Sequence, residues 1–146
     1  PASEVTAHFT IEPYASMERE KGAHTLLTSF DILGGPATTS LVWTTTRFFE
    51  ENPKVYAAFV KAMEEAFDFI RKDARAAADF YLKATKTKES PESVSRMLND
   101  PLIKWGIMPS NVMKQVDFMY RTGAIKVKPE SWKDLFFQNV HNLPGS

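Results

Sequence analysis

Cysteine is missing from the 146-residue sequence, and this absence removes several kinds of chemistry at once. Without a thiol the chain forms no disulfide, holds no thiolate-bound metal and performs no thiol catalysis. The absence does not locate the protein, because a chain without cysteine suits an oxidising compartment as well as a reducing one.

Long apolar runs and an excess of either charge are also missing. No stretch approaches the roughly 20 apolar residues of a membrane-spanning helix, and the first residues lack the basic, apolar and small-residue order of a secretory signal. Lys and Arg number 18, as do Asp and Glu. Because the basic residues alternate with acidic ones and form no stripe, we expect no nucleic-acid partner.

What the sequence does contain is the composition of an ordinary folded domain, with 43% hydrophobic and 25% charged residues. His8, His24 and His141 lie far apart, so we expect no metal site and no cofactor. Glu64 and Glu65 point about 100° apart on a helix and cannot share a substrate. With no nucleophile-elbow or kinase motif either, the sequence favours a protein that is not an enzyme.

The first 46 residues predict short strands around one helix. Residues 4–9, 24–30 and 39–46 are rich in β-branched and aromatic side chains, which is typical of strands. A helix is predicted over residues 13–21. Strand, helix and strand in this order favour a parallel sheet, so the predicted fold class is α/β with a small parallel or mixed sheet.

A turn at Gly34-Gly35-Pro36 follows the second predicted strand. Two glycines and a proline favour unusual backbone angles. The turn lacks the Lys-Ser/Thr ending of a phosphate-binding loop, so we predict a flexible connection there instead of a phosphate site.

From residue 47 onward the chain is predicted to be almost wholly helical. A cap residue followed by proline, at Asn52-Pro53 and at Ser90-Pro91, marks the start of two helices. In the first of these, apolar residues recur at spacings of three and four: Val55, Phe59, Met63, Ala66, Phe67 and Ile70. Further helices are predicted after Asp73 and Asn111, and a last one around Trp132.

Four segments, in this order, resemble the substrate-binding proteins of ABC transporters in the nitrate, sulfonate and taurine group, which includes binders of pyrimidine precursors. They are the turn at residues 5–13, the run Leu41-Val42-Trp43, residues 47–55 and the closing run over residues 117–137. The group has the type II periplasmic binding fold, in which two α/β lobes close on a small ligand.

The resemblance implies that this sequence is the C-terminal portion of such a protein. Residues 1–38 would end the second lobe, residues 39–46 would form the return crossing at the hinge, and residues 47–146 would be the helical part of the first lobe. The implied function is to bind a small organic solute and deliver it to an ABC permease, in the periplasm or another extracytoplasmic space. We expect the isolated portion to self-associate, because unpaired strands leave exposed edges.

The resemblance also implies a ligand site at the strand-to-proline turn and ahead of the return crossing. Its residues are Phe9, Thr10, Glu12, Thr38, Thr39 and Ser40. The acidic Glu12 would disfavour a sulfonate or nitrate unless a base is paired with it. Several relatives have an aromatic residue where this chain has Ile11, so the ligand class stays open among sulfonates, nitrate-like anions, amines and pyrimidines.

The alternative is a self-contained, mostly helical protein-interaction module with no small-molecule ligand. It predicts a monomer without a large exposed apolar patch. A third interpretation, a pyrimidine synthase of the same superfamily, loses its cysteine-rich iron site because the chain has no cysteine.

Overall fold

The structure is a computed structural model that describes residues 5–87 and 89–146. The first residue of the strand predicted from residue 4 therefore lies outside the described residues, as do residues 1–4 of the predicted 1–38 segment and position 88. Within the described part the chain is 53% helical and contains no β-strand. The predicted α/β fold with a sheet is therefore wrong, and the described chain is a small helical domain.

Helices follow one another along the described residues. The α-helices are α1 (Tyr14–Glu20), α2 (Ser29–Leu33), α3 (Thr46–Glu51), α4 (Pro53–Lys72), α5 (Ala74–Thr85), α6 (Pro91–Leu98) and α7 (Val112–Arg121). Two 3-10 turns, Trp132–Leu135 and Gln138–Val140, replace the last predicted helix. The most extensive contacts join α5 with α6, α4 with α5, and α3 with α4.

The second predicted strand is interrupted by α2. Thr28 Oγ1 accepts a hydrogen bond from the Asp31 backbone N–H at 3.2 Å, and the Asp31 carboxylate accepts one from the Thr28 backbone N–H at 2.8 Å. This reciprocal cap satisfies two backbone donors and starts a helix where β-branched composition predicted a strand. A strong local cap has overridden a composition signal that depends on neighbouring strands.

The third predicted strand, residues 39–46, stays extended as far as Thr45 but has no partner strand, and Thr46 already begins α3. Residues 39–44 form no backbone–backbone hydrogen bond within the described chain. Leu41, Val42 and Trp43 point into solvent, with Trp43 84% exposed. A strand becomes a strand only beside another one, so the β-branched sequence here yields an exposed connection.

The helix starts predicted from cap residues are confirmed. Helix α4 begins at Pro53, directly after Asn52. The carboxylate of Asp73 accepts from the Ala76 N–H at 2.9 Å at the start of α5, and Ser90 Oγ accepts from the Ser93 N–H at 3.1 Å at the start of α6. These signals are local, which is why the sequence alone was sufficient to predict them.

The buried core is small and lies in the helical part. Its apolar members are Ala74, Ala77, Ala78, Val94, Val112, Val116, Trp132 and Val140. Gly145 packs directly against the indole ring of Trp132, so closely that a Cβ at position 145 would lie 2.7 Å from the ring. Next to it, His141 Nε2 lies 2.9 and 2.8 Å from the carbonyls of Lys133 and Phe136. Because carbonyls only accept, Nε2 of His141 carries the proton.

An aromatic cluster ties the C-terminal segment to α3 and α4. The ring of Phe49 stacks on Phe137 with centroids 4.2 Å apart, and Tyr56 meets both rings edge-on at 4.8 and 5.5 Å. The Tyr56 hydroxyl donates to Asn139 Oδ1 at 2.8 Å. Partial burial raises the pKa of Tyr56, and the Asn139 bond only partly offsets this. The closing run is thus a packed part of the fold.

Candidate functional site

Two of the six predicted ligand residues, Phe9 and Thr10, line one depression beside α1. This depression is open to solvent, has a volume of about 620 Å³ and is bordered by His8, Phe9, Thr10, Ile11, Tyr14 and Glu18. Phe9 is 98% exposed, so its ring faces are free to contact a ligand. Across the depression, His8 Nδ1 lies 3.0 Å from Glu18 Oε1.

Glu12 turns away from the depression and into the first turn of α1. Its carboxylate accepts from Ser16 N–H at 3.1 Å, from Ser16 Oγ at 2.6 Å and from Arg19 Nη2 at 2.6 Å. Partial burial raises the pKa of Glu12, but the hydrogen bonds from Ser16 and Arg19 outweigh it and the net pKa is lowered. The charge of Glu12 is therefore paired with a base, and its carboxylate does not count against an anionic ligand.

Thr38, from the second half of the predicted site, is bound to the loop before α7. Its backbone N–H donates to the Ser110 carbonyl at 2.9 Å, and its Oγ1 accepts from the Ser110 N–H, also at 2.9 Å. The Gln115 side-chain amide donates to the Thr38 carbonyl at 2.7 Å. The hydroxyl of Thr38 thus has a structural partner, whereas Thr39 and Ser40 are exposed.

Two further bonds extend this contact into a unit that we call the latch. It consists of Leu33, Pro36 and Thr38 on one side and of Ser110, Asn111, Lys114 and Gln115 on the other. Asn111 Nδ2 donates to the Pro36 carbonyl at 2.7 Å, and Lys114 Nζ donates to the Leu33 carbonyl. The turn at Gly34-Gly35-Pro36, predicted to be a flexible connection, is therefore held on both sides by hydrogen bonds to α7 and its preceding loop.

The structure does not bring the two halves of the predicted site into contact. Among the described residues, no hydrogen bond, ion pair or ring contact joins residues 8–12 to residues 38–40. An exposed ion pair between Arg96 and Glu20, at 3.4 Å, links α6 to the end of α1. The assignment of all six residues to one ligand site stays a prediction.

Tyr14 and Glu18 border the depression but were not among the residues predicted for the ligand site. A signal for them was present in the sequence. They are four residues apart on α1, and such residues lie on the same side of a helix. The resemblance implied contacts from the strand-to-proline turn, which comes before α1, and so it did not include residues of the helix itself.

No group of three His, Asp or Glu side chains among the described residues is arranged to hold a metal ion. A second open depression, of about 390 Å³, lies between the ends of α4 and α6. There, Arg71 is already engaged by the Trp105 carbonyl and by Asp68.

The arrangement around Phe9 suits reversible binding. It offers an exposed aromatic ring, a half-buried hydroxyl and a His–Glu pair, all of which are groups that can contact a ligand. No helix in the described residues is long and apolar enough to cross a membrane. Comparisons with models of protein families, with curated proteins and with solved structures found no match to the chain.

Proposed function

We propose that the chain is part of the solute-binding component of an ABC importer, which binds a small organic solute and delivers it to a membrane permease without catalysing a reaction. The observation that supports this most is the ordered resemblance of four segments to that group. Two of these segments, residues 47–55 and 117–137, also pack on each other, since Phe49 stacks on Phe137 at 4.2 Å.

The proposed solute contacts are centred on the depression beside α1. Phe9 supplies an apolar ring face, and Thr10 supplies a hydroxyl that both donates and accepts. Because Arg19 already neutralises Glu12, solutes of either charge fit the proposal: sulfonates, nitrate-like anions, amines and pyrimidines. The proposed location is periplasmic or otherwise extracytoplasmic, where such importers collect their solutes.

A thermal-shift experiment tests this proposal. The natural polypeptide that contains these 146 residues would be heated with a panel of small sulfonates, nitrate, amines, pyrimidines and carboxylates. One class is expected to raise Tm, because a ligand at 100 times its Kd stabilises the folded state by about 2.7 kcal/mol. The variant Phe9→Ala should lose most of this shift.

The control variant is Phe118→Ala, which removes another exposed phenylalanine ring, on α7 and outside the depression. It should keep the full ligand-induced shift. If no member of the panel changes Tm, or if both variants respond alike, solute binding at this depression is wrong.

A self-contained helical interaction module is the second candidate. The helical fold of the described residues favours it. In this alternative no solute raises Tm, and Phe9→Ala changes nothing in the solute experiment. The same panel therefore separates the two functions.

A further inference from the structure

Helix α4 carries two apolar stripes, and the rest of the described chain covers only one of them. One stripe is half-buried and faces the chain: Tyr56, Val60, Met63, Phe67 and Ile70. A second stripe is exposed along its whole length: Val55, Phe59, Ala62, Ala66 and Phe69. At roughly 100° per residue the two stripes are centred about 100° apart, so one packing partner covers only the first.

The exposed stripe is long and without aromatic contacts. Val55 is 57% exposed, Phe59 46% and Phe69 42%, and no residue of α4 is fully buried. Tyr56 and Phe67, on the other stripe, contact the rings of Phe137 and Trp105. The rings of Phe59 and Phe69 have no ring partner in the described part of the chain. The stripe extends over about 21 Å of helix.

The whole molecule exposes more surface to solvent than is usual for a folded monomer of its mass. The chain exposes 11544 Å², whereas a folded monomer of 16.5 kDa exposes about 7,600 Å². The excess is about five times the roughly 800 Å² that each partner contributes to a standard stable interface. The molecule therefore has ample area for a stable dimer, and α4 supplies its longest regular apolar face.

The exposed stripe reads the same in both directions. From Phe59 the order is Phe, Ala, Ala, Phe, ending at Phe69, with spacings of three, four and three residues. A two-fold interface uses the same patch on both subunits, so that patch has to complement itself. An antiparallel pair centred near Glu64 places each Phe59 opposite Phe69 of the second copy, and each Ala62 opposite Ala66. The small central residues let the helices approach closely.

We propose that α4 pairs in antiparallel fashion with α4 of a second copy of this chain. The charged residues beside the stripe are compatible with this pairing. Glu65 lies close to the two-fold axis, but its charge is balanced by Lys61 of the same chain, whose Nζ is 3.8 Å from Glu65 Oε1. The pairing does not depend on solute binding, so it stands or fails separately from the proposed function.

The experiment is sedimentation velocity on the 146-residue chain over a series of concentrations. The wild type should move from a species of 16.5 kDa towards one of twice that mass. Ala66→Glu should remain a monomer, because a charge wedged into the close central layer prevents pairing while an exposed glutamate suits a single helix.

Ala57→Glu is the matched control. Ala57 is also exposed on α4 but lies about 140° from Ala62, on the opposite side of the helix. It should dimerise like the wild type. A wild type that stays monomeric, or a control that dissociates as Ala66→Glu does, would overturn the proposal. A helical circular dichroism spectrum equal to the wild type would establish that each variant is folded.

Introduced thiols test the register, since the chain has no cysteine of its own. A mixture of Ala62→Cys and Ala66→Cys should form the mixed disulfide under oxidation, because an antiparallel pair brings these positions within the roughly 7 Å between Cα atoms that a disulfide spans. Preferential cross-linking of each variant with itself would indicate a parallel pair and would contradict the antiparallel proposal.

Discussion

Three donors converge on the Glu12 carboxylate, and this gives the folded state a defined dependence on pH. The pKa of Glu12 is lowered from its usual 4.5, so the group contributes stability above its unfolded pKa and loses it as the pH falls through the lower folded value. Glu12→Gln should therefore lower the free energy of unfolding at neutral pH by about 1 kcal/mol or less, since Arg19 is itself half-exposed.

The measurement is urea unfolding of both proteins at neutral pH and at about pH 3, below the usual carboxylate range. The difference between wild type and Glu12→Gln should shrink at the acidic pH. Glu50→Gln, on an exposed residue of α3, should change neither value. A difference that grows on acidification would contradict the assignment of a lowered pKa.

Ion pairs along α4 show how far the sequence alone can predict the partner of a charged residue. The spacing predicts pairs between Lys61 and Glu65 and between Asp68 and Lys72. The first is present at 3.8 Å, but Asp68 pairs with Arg71. Residues three and four apart are both within reach on a helix, so the tertiary contact that Arg71 makes with the Trp105 carbonyl decides between them.

At the scale of elements, one hydrogen bond of the latch between the glycine turn and α7 uses a side-chain hydroxyl, that of Thr38. Thr38→Val keeps the side-chain shape but removes the acceptor of the Ser110 N–H. Leaving that half-buried donor unpaired should cost about 1 to 2 kcal/mol. The change should appear as faster hydrogen exchange of the Ser110 amide and as a lower Tm.

Thr39→Val provides the comparison, because Thr39 is the exposed neighbour of Thr38 and makes no hydrogen bond within the described part of the chain. Exchange at Ser110 should be unchanged in this variant. Equal effects of the two substitutions would show that the latch is not what holds this segment.

The elements that the sequence predicts correctly are those with local causes. The caps of Asp73 and Ser90 lie within three residues of the N–H groups that they bind, and α5 and α6 begin there. At Asn52 the side chain makes no cap bond, and α4 begins at the proline that follows it. The strand predictions were wrong because a strand forms only when it pairs with another strand, which can be distant in sequence. The cap formed by Thr28 and Asp31 was visible in the sequence as Thr-x-x-Asp, but the surrounding β-branched composition masked it.

In the candidate site, too, the sequence predicts local contacts but not contacts between distant residues. Phe9 and Thr10 share a depression with α1 because they precede that helix directly. Thr38 accepts a hydrogen bond from Ser110, 72 residues away, and no local sequence pattern predicts a contact over that distance. What the sequence leaves undetermined is therefore the set of contacts between distant segments.

For the molecule as a whole, the large exposed area predicts a shallow response to denaturant. The chain buries on folding only about three-quarters of the area that a protein of its mass normally buries. The urea m-value scales with that area, so at low protein concentration it should be about three-quarters of the value usual for this length. An m-value at or above the usual one would mean that the apolar surface is covered in solution.

The helix contacts predict the order in which the chain folds. Helices that pack most extensively are consecutive in sequence, α3 with α4, α4 with α5 and α5 with α6, and such short chain closures are fast. The contact between Tyr56 and Asn139 spans 83 residues, and the latch bond between Thr38 and Ser110 spans 72. Closing these long loops costs more chain entropy, so we expect the central helices to form first and the two ends to dock onto them last.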